Sequence, residues 1–186
     1  RMLDRKGVKA VDFMGSIGSG KTSLIERLVD LLKDKYQIGV IAGDTATDID
    51  ASRIARHGVP SVQVNTGKEC HLDALLVRRA LRKLLKKRVN LIFIENVGNL
   101  ICPADFPVGA HKRVVVVSVT EGEYVVVKKG DIFLAADVAV INKIDLANAM
   151  GVDPAKLAQD AKKANPSIKV VLTSCLLYTS PSPRDR

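Results

Sequence analysis

Apolar residues along this chain fall into two alternating rhythms. Short runs rich in Val and Ile, bounded by polar residues or glycine, occupy 8–14, 38–42, 61–64, 91–95, 113–119, 138–142 and 169–172. Runs of this length and β-branched character are expected of strands buried on both faces. Between them lie segments with helical spacing at 22–35, 50–57, 72–87 and 154–164. The first carries Leu24, Ile25, Leu28, Leu31 and Leu32 on one stripe. Strand and helix in alternation predict an α/β fold: a mostly parallel sheet flanked by helices on both faces, with ligands at the carboxyl ends of the strands. The segment 175–186 breaks the pattern. It has two prolines and no periodicity, and it reads as a non-native tail; Arg1 in place of Met argues the same way for the other end. One domain over 1–174 is therefore expected.

Composition sharpens this picture in a few places. The chain has 186 residues, 47% of them hydrophobic, with no Trp, which suits an aliphatic core of one domain. No apolar run approaches the roughly 20 residues of a membrane helix, and no charged-then-apolar leader opens the chain, so a cytoplasmic location is expected. The net charge of +9 is concentrated in Arg78, Arg79, Arg82, Lys83, Lys86, Lys87 and Arg88. These form one stripe of an amphipathic helix, either a solvated face or a surface for an acidic partner. No aromatic residues interleave it, so stacking on single-stranded nucleic acid is not supported. Cys70, Cys102 and Cys175 make an odd count without a framework spacing, which points to free thiols or metal ligands rather than disulfides.

The chemistry begins at residues 15–22, Gly-Ser-Ile-Gly-Ser-Gly-Lys-Thr, a complete G-x-x-x-x-G-K-[ST] phosphate loop between an expected strand and an expected helix. Gly15, Gly18 and Gly20 let backbone N–H groups close around phosphates, with Ser19 and Ser23 in the same loop and helix start. Lys21 supplies a point charge, and Thr22 is placed for Mg²⁺. Asn142-Lys143-Ile144-Asp145 is an N-K-x-D pattern at a strand end. Its aspartate can accept from two guanine N–H groups that adenine does not offer, so GTP is favoured over ATP. Glu95 and Gly98, closing an apolar strand, have the character of a Walker-B-type carboxylate and a γ-phosphate contact. Asp44 is a second carboxylate at the same sheet edge, and both acids are candidate Mg²⁺ groups; each could instead cap a helix or face solvent. Lys21, Asp44 and Glu95 are the candidate catalytic residues.

Cys70, His71 and Cys102 form a further constellation whose thiolate and imidazole donors suit Zn²⁺ or Ni²⁺. Adjacent residues on a helix point about 100° apart, and two or three ligands do not close a tetrahedral shell. A site shared across a two-fold axis would meet both difficulties, while an adjacent Cys and His also occur as plain polar or buried residues.

Taken together, these residues resemble the hydrogenase nickel-incorporation GTPases, the HypB family, within the SIMIBI-type P-loop NTPases that dimerise. The resemblance covers about residues 7–174. Its most particular stretches are Asn-Thr-Gly-Lys-Glu-Cys-His-Leu-Asp-Ala at 65–74, Glu-Asn-Val-Gly-Asn-Leu-Ile-Cys-Pro at 95–103 and Val-Thr-Glu-Gly at 119–122. It implies GTP hydrolysis coupled to nickel delivery during [NiFe]-hydrogenase maturation, in a homodimer formed with nucleotide. Cys70, His71 and Cys102 then match the metal positions at the dimer interface, and a HypA-type metallochaperone and the hydrogenase large subunit are the implied partners. A switch follows as an expectation: nucleotide and Mg²⁺ would order 44–50 and 95–100, the second of which leads to Cys102. Two features depart from the family pattern. Thr173-Ser174 begins a base-contacting loop but runs into the unpatterned tail, and a histidine-rich N-terminal extension is absent. The urease-accessory GTPases, which typically carry Cys-Pro-His where this chain has Cys70-His71, are a more distant match. A non-catalytic metal-binding dimer is the alternative of another class.

Overall fold

The computed structural model describes residues 2–44, 49–67 and 69–175. Seven strands form one sheet: β1 (Lys9–Gly15), β2 (Ile38–Asp44), β3 (Ser61–Asn65), β4 (Leu91–Glu95), β5 (Lys112–Ser118), β6 (Val138–Asn142) and β7 (Lys169–Leu172). Their order is β3-β2-β4-β1-β5-β6-β7, and every pairing is parallel. β1 is central, in register with β4 from Lys9 to Phe13 and with β5 from Val11 to Gly15. All seven chain exits therefore lie on one edge of the sheet.

Side-chain alternation divides the core between two faces. Phe13, Val40, Phe93, Val114 and Val116 point to the face covered by helices α1 (Lys21–Leu32) and α2 (Ile49–Ala55), where they meet Ile25, Val29 and Ile54. On the other face Ile41, Ile92 and Ile94 pack against α3 (Ala74–Leu84) through Val77, Ala80, Leu81 and Leu84. Met14, Val115, Val117 and Ile141 pack there against the later helices. Those are α4 (Cys102–Asp105), α5 (Val125–Lys128), α6 (Gly130–Leu134), α7 (Ala147–Met150) and α8 (Pro154–Ala164).

The expected strands are all present within a residue or two, and three of the expected helices are shorter than their patterns. α3 starts at Ala74 rather than 72, because Asp73 is its cap and accepts from the backbone N–H of Leu75 and Leu76. Cys70 and His71 consequently lie in the loop before the helix. α4 to α7 have four or five residues each and were not foreseen. Val125-Val126-Val127 has β-like character, yet Val125 and Val126 are buried in the core, and packing overrides propensity there. The basic side chains of α3 and the following turn are exposed, as a solvated face requires. No helix among the described residues is long and apolar enough to cross a membrane. The unpatterned tail lies outside the described residues from Leu176 onward.

Phe133 on α6 is fully buried in the larger cluster. Phe133→Ala should lower unfolding stability by about 3–5 kcal/mol, read as a shift of the urea midpoint at unchanged slope.

Candidate nucleotide cleft and thiol cluster

The loop that leaves β1 is shaped by contacts that exclude a side chain. At Gly15, φ is +153°, and a Cβ there would collide with the Val116 carbonyl of the neighbouring strand. At Gly20, φ is +98°, and a Cβ would collide with the Asn142 amide. The second contact joins the phosphate loop to the N-K-x-D segment by direct packing. Asn142 Nδ2 also donates to the Ser19 carbonyl at 2.9 Å, and Lys143 Nζ donates to the Gly18 carbonyl at 2.7 Å. Lys143 holds φ +59°, an uncommon conformation for a residue with a Cβ, and so turns the chain back over the loop.

A cleft of about 450 Å³ runs from this loop across the sheet edge. Gly18, Gly20, Lys21, Thr22, Ser23, Asp44, Glu95, Gly98 and Lys143 of the expected set all line it. Thr22 Oγ1 donates to Glu95 Oε1 at 2.7 Å and lies 3.1 Å from Asp50 Oδ1; one hydroxyl hydrogen serves only one of them at a time. Lys21 Nζ donates to the carbonyls of Gly15 at 3.1 Å and Ser16 at 2.9 Å. Burial lowers the pKa of Lys21, and the charges of Glu95, Asp50, Glu121 and Asp44 oppose that shift. Ser19 differs from its neighbours. Its hydroxyl is buried without a hydrogen-bond partner, so its visible role is the backbone carbonyl that Asn142 grips.

Beside the cleft, a smaller cavity of about 80 Å³ is lined by Gly20, Ser23, Asn142, Lys143, Asp145, Leu146, Ser174 and Cys175. Ser174 Oγ donates to Asp145 Oδ1, and the Cys175 backbone N–H donates to Asn142 Oδ1 at 3.2 Å. Thr173-Ser174 thus reaches the N-K-x-D segment, and Cys175, grouped by its sequence with the tail, packs there too.

Cys70, His71 and Cys102 converge although 32 positions separate the two cysteines. Their ligand atoms lie within 4.8 Å of one another, with Cys70 Sγ 2.8 Å from Cys102 Sγ and 3.8 Å from His71 Nδ1. The divergence expected of neighbouring helical residues does not arise, because 70 and 71 are in a loop. The Cys102 sulfur raises the pKa of the Cys70 thiol. The His71 ring stacks on Phe106, centroids 4.0 Å apart and planes 17° apart. Asn99 Nδ2 donates to Cys102 Sγ at 3.5 Å, while Asn99 forms an isolated antiparallel bridge to Gly15. One asparagine therefore touches both the phosphate loop and the thiol cluster.

Sequence reasoning placed Asp50 and Asn99 only inside the expected switch segments, without a role of their own, and gave no role to Phe106 or Arg53. Asp50 followed a gap in the pattern and carried no motif. Arg53 reaches the cleft from α2 while holding Glu26 at 2.6 Å. The soft donors of the cluster suit Ni²⁺ or Zn²⁺, and the hydroxyl and carboxylates around Thr22 suit Mg²⁺.

Glu95 is 3% exposed, with Oε2 lacking a hydrogen-bond partner, and burial pushes its pKa up from the ordinary 4.5 to about 7; the Thr22 hydrogen bond and Lys21 act against the rise. The folded state therefore binds a proton more tightly than the unfolded chain. Its contribution to stability is full below pH 4.5 and is lost as pH rises to about 7. In the nucleotide-free protein, Glu95→Gln should match the wild type near pH 5 and exceed it at pH 8 by up to about 3 kcal/mol in urea unfolding. An equal difference at both pH values would contradict this assignment.

Residues 9–172 match the model for the nucleotide-binding domain of the CobW/HypB/UreG family. The chain is 58% identical over 174 residues to a probable hydrogenase maturation factor HypB of Methanocaldococcus jannaschii, covering 94% of this chain and 79% of the relative. It is 45% identical to the hydrogenase maturation factor HypB of Rhizobium leguminosarum, again over 94% of this chain but only 58% of that longer protein. Its structure superposes on HypB from Helicobacter pylori, crystallised in complex with nickel, with a TM-score of 0.87 at 34% identity, covering 94% of this chain and 84% of that one. With the phosphate loop, the N-K-x-D segment and the Cys/His cluster in place, the chain belongs to the CobW/HypB/UreG family, on its branch of HypB hydrogenase maturation factors.

Proposed function

We propose that this chain is a GTP-hydrolysing nickel carrier for [NiFe]-hydrogenase maturation, in which nucleotide state controls a metal site made by Cys70, His71 and Cys102. The observation that carries this reading is Asn99, which pairs with Gly15 and donates to Cys102 Sγ. A change at the phosphate loop reaches a metal ligand through one residue. The crystallisation of the Helicobacter pylori relative with nickel supports nickel as the cargo over Zn²⁺.

In this reading Asp145 accepts from the guanine N–H groups, and Asn142 and Lys143 hold the phosphate loop against the base site. Lys21 is the point charge for the phosphates. Thr22, Asp44 and Glu95, joined by Asp50, would hold Mg²⁺, which when bound neutralises phosphate charge. Glu95 sits at the end of β4, where Gly98 approaches the loop closely enough that a Cβ would strike Ile17. The segment 95–102 is thus pressed on the loop at one end and carries Cys102 at the other. Of the expected switch segment 44–50, residues 45–48 lie outside the described residues.

Three ligands from one chain leave a metal shell open. Ile101 (57% exposed) and Phe106 (49%) give the surface beside the thiols an apolar character suited to a second copy of the chain. A homodimer would complete the shell. A HypA-type metallochaperone and the hydrogenase large subunit complete the proposed partners, in the cytoplasm.

Calorimetry of GTP and Ni²⁺ binding, with mass measured for each state, tests the reading. Lys21→Ala should weaken GTP binding about 10- to 100-fold. Cys70→Ala should remove the Ni²⁺ site while leaving GTP binding intact, and wild-type Ni²⁺ affinity should differ between GTP and GDP forms. Equal nickel affinity in the two forms would sink the switch.

A further inference from the structure

Asp12 lies in the middle of β1, 0% exposed, between the two apolar clusters on the α3 face of the sheet. A carboxylate there is costly unless it is paired and hydrogen-bonded. Burial raises its pKa to about 6, against the opposing effects of Asn96 and Arg113. Nothing in nucleotide or metal binding as described above uses it.

Its two partners do not stop at Asp12. Asn96 Nδ2 donates to Asp12 Oδ1 at 3.2 Å, while Asn96 Oδ1 accepts from the backbone N–H of Leu72 at 3.1 Å. A carboxylate only accepts and a backbone N–H only donates, so the amide can face just one way. Arg113 Nε stands 4.0 Å from Asp12 Oδ2, and its Nη2 donates to the carbonyls of Pro103 and, at 3.3 Å, Ala104. Leu72 follows His71, and Pro103 follows Cys102. Both arms of the thiol cluster therefore lead to a single buried carboxylate, one through the Asn96 amide hydrogen bond and the other through a guanidinium that faces Asp12 at 4.0 Å by charge alone, Asp12 Oδ2 and Arg113 Nε having no hydrogen-bond partner. Asn96 also follows Glu95 directly, so any shift at the end of β4 bears on the same junction.

We infer that Asp12 is a positioning residue that sets the Cys70–His71 arm against the Cys102 arm through Asn96 and Arg113. The inference rests on the reading of Cys70, His71 and Cys102 as a metal site. Asp12→Asn can still accept from Asn96 but turns an N–H₂ group toward Arg113, so it releases the Cys102 arm selectively. The double variant Asp12→Asn/Arg113→Gln removes both charges together and leaves no lone buried ion.

The test titrates Co²⁺ into the full chain and follows thiolate-to-cobalt charge-transfer absorption, with thermal unfolding and GDP affinity measured alongside. Both variants should bind Co²⁺ about 10- to 100-fold more weakly than wild type and lose about half the charge-transfer intensity, with GDP affinity within about threefold. A folded variant with the wild-type Co²⁺ affinity and spectrum overturns the inference and leaves the metal site standing. If both variants are unfolded at the assay temperature, Asp12 serves the fold and the inference also falls. Wild-type protein without Cys70-dependent Co²⁺ binding refutes the site itself, and the inference with it.

Discussion

Parallel pairing of β1 with β4 on one side and β5 on the other obliges the chain to leave all three strands at the same edge of the sheet. The loops that follow then crowd one another. Gly15, Gly20 and Gly98 mark where the crowding is tightest, because a single added carbon at each would meet a neighbouring carbonyl, amide or side chain. Phosphate loop, acidic strand end, N-K-x-D segment and thiol cluster are adjacent for this one topological reason, although they are scattered over some 130 positions of sequence.

Crowding also sets the electrostatics. Lys21 and Glu95 are withdrawn from water at the mouth of the cleft, with Asp50 and Asp44 close enough to influence Lys21. Glu95 is raised toward neutrality because burial outweighs the help of Thr22 and Lys21. Such an arrangement is poorly satisfied by the protein alone and well suited to a ligand that brings its own charges. The strain is tolerated because the strands beneath are stiff, with Val114 to Val117 and Ile92 to Ile94 nearly inaccessible to water.

The thiol cluster joins a loop, which carries Cys70 and His71, to the first residue of α4, Cys102. Asp73 starts α3 late, which leaves Cys70 and His71 free to turn toward Cys102, and Phe106 fixes the imidazole plane by stacking. Asn99 and Asn96 are neighbours of the acidic strand end, and between them they touch the phosphate loop, Cys102, Leu72 and Asp12. Short polar side chains with two-ended hydrogen bonding suit such junctions, since each amide can donate in one direction and accept in another.

The sequence by itself determined the strands, the long helices and the phosphate loop, because periodicity and glycine spacing are local properties that each segment states without its partners. It also singled out Cys70, His71 and Cys102 as candidate soft donors and, through the resemblance, the family. What it did not contain was the company those residues keep. Asp50 and Arg53 carry no motif, Asn99 lies in a family stretch that states no contact for it, and nothing in the apolar pattern of 8–14 assigns a role to Asp12. The short helices α5 and α6 form because the core needs Val125, Val126, Ile132 and Phe133 buried, against or without local preference. Only the tertiary structure decided these, since hydrogen bonds across 24 to 125 positions and the burial of a charge exist only once the sheet has brought distant segments to one edge.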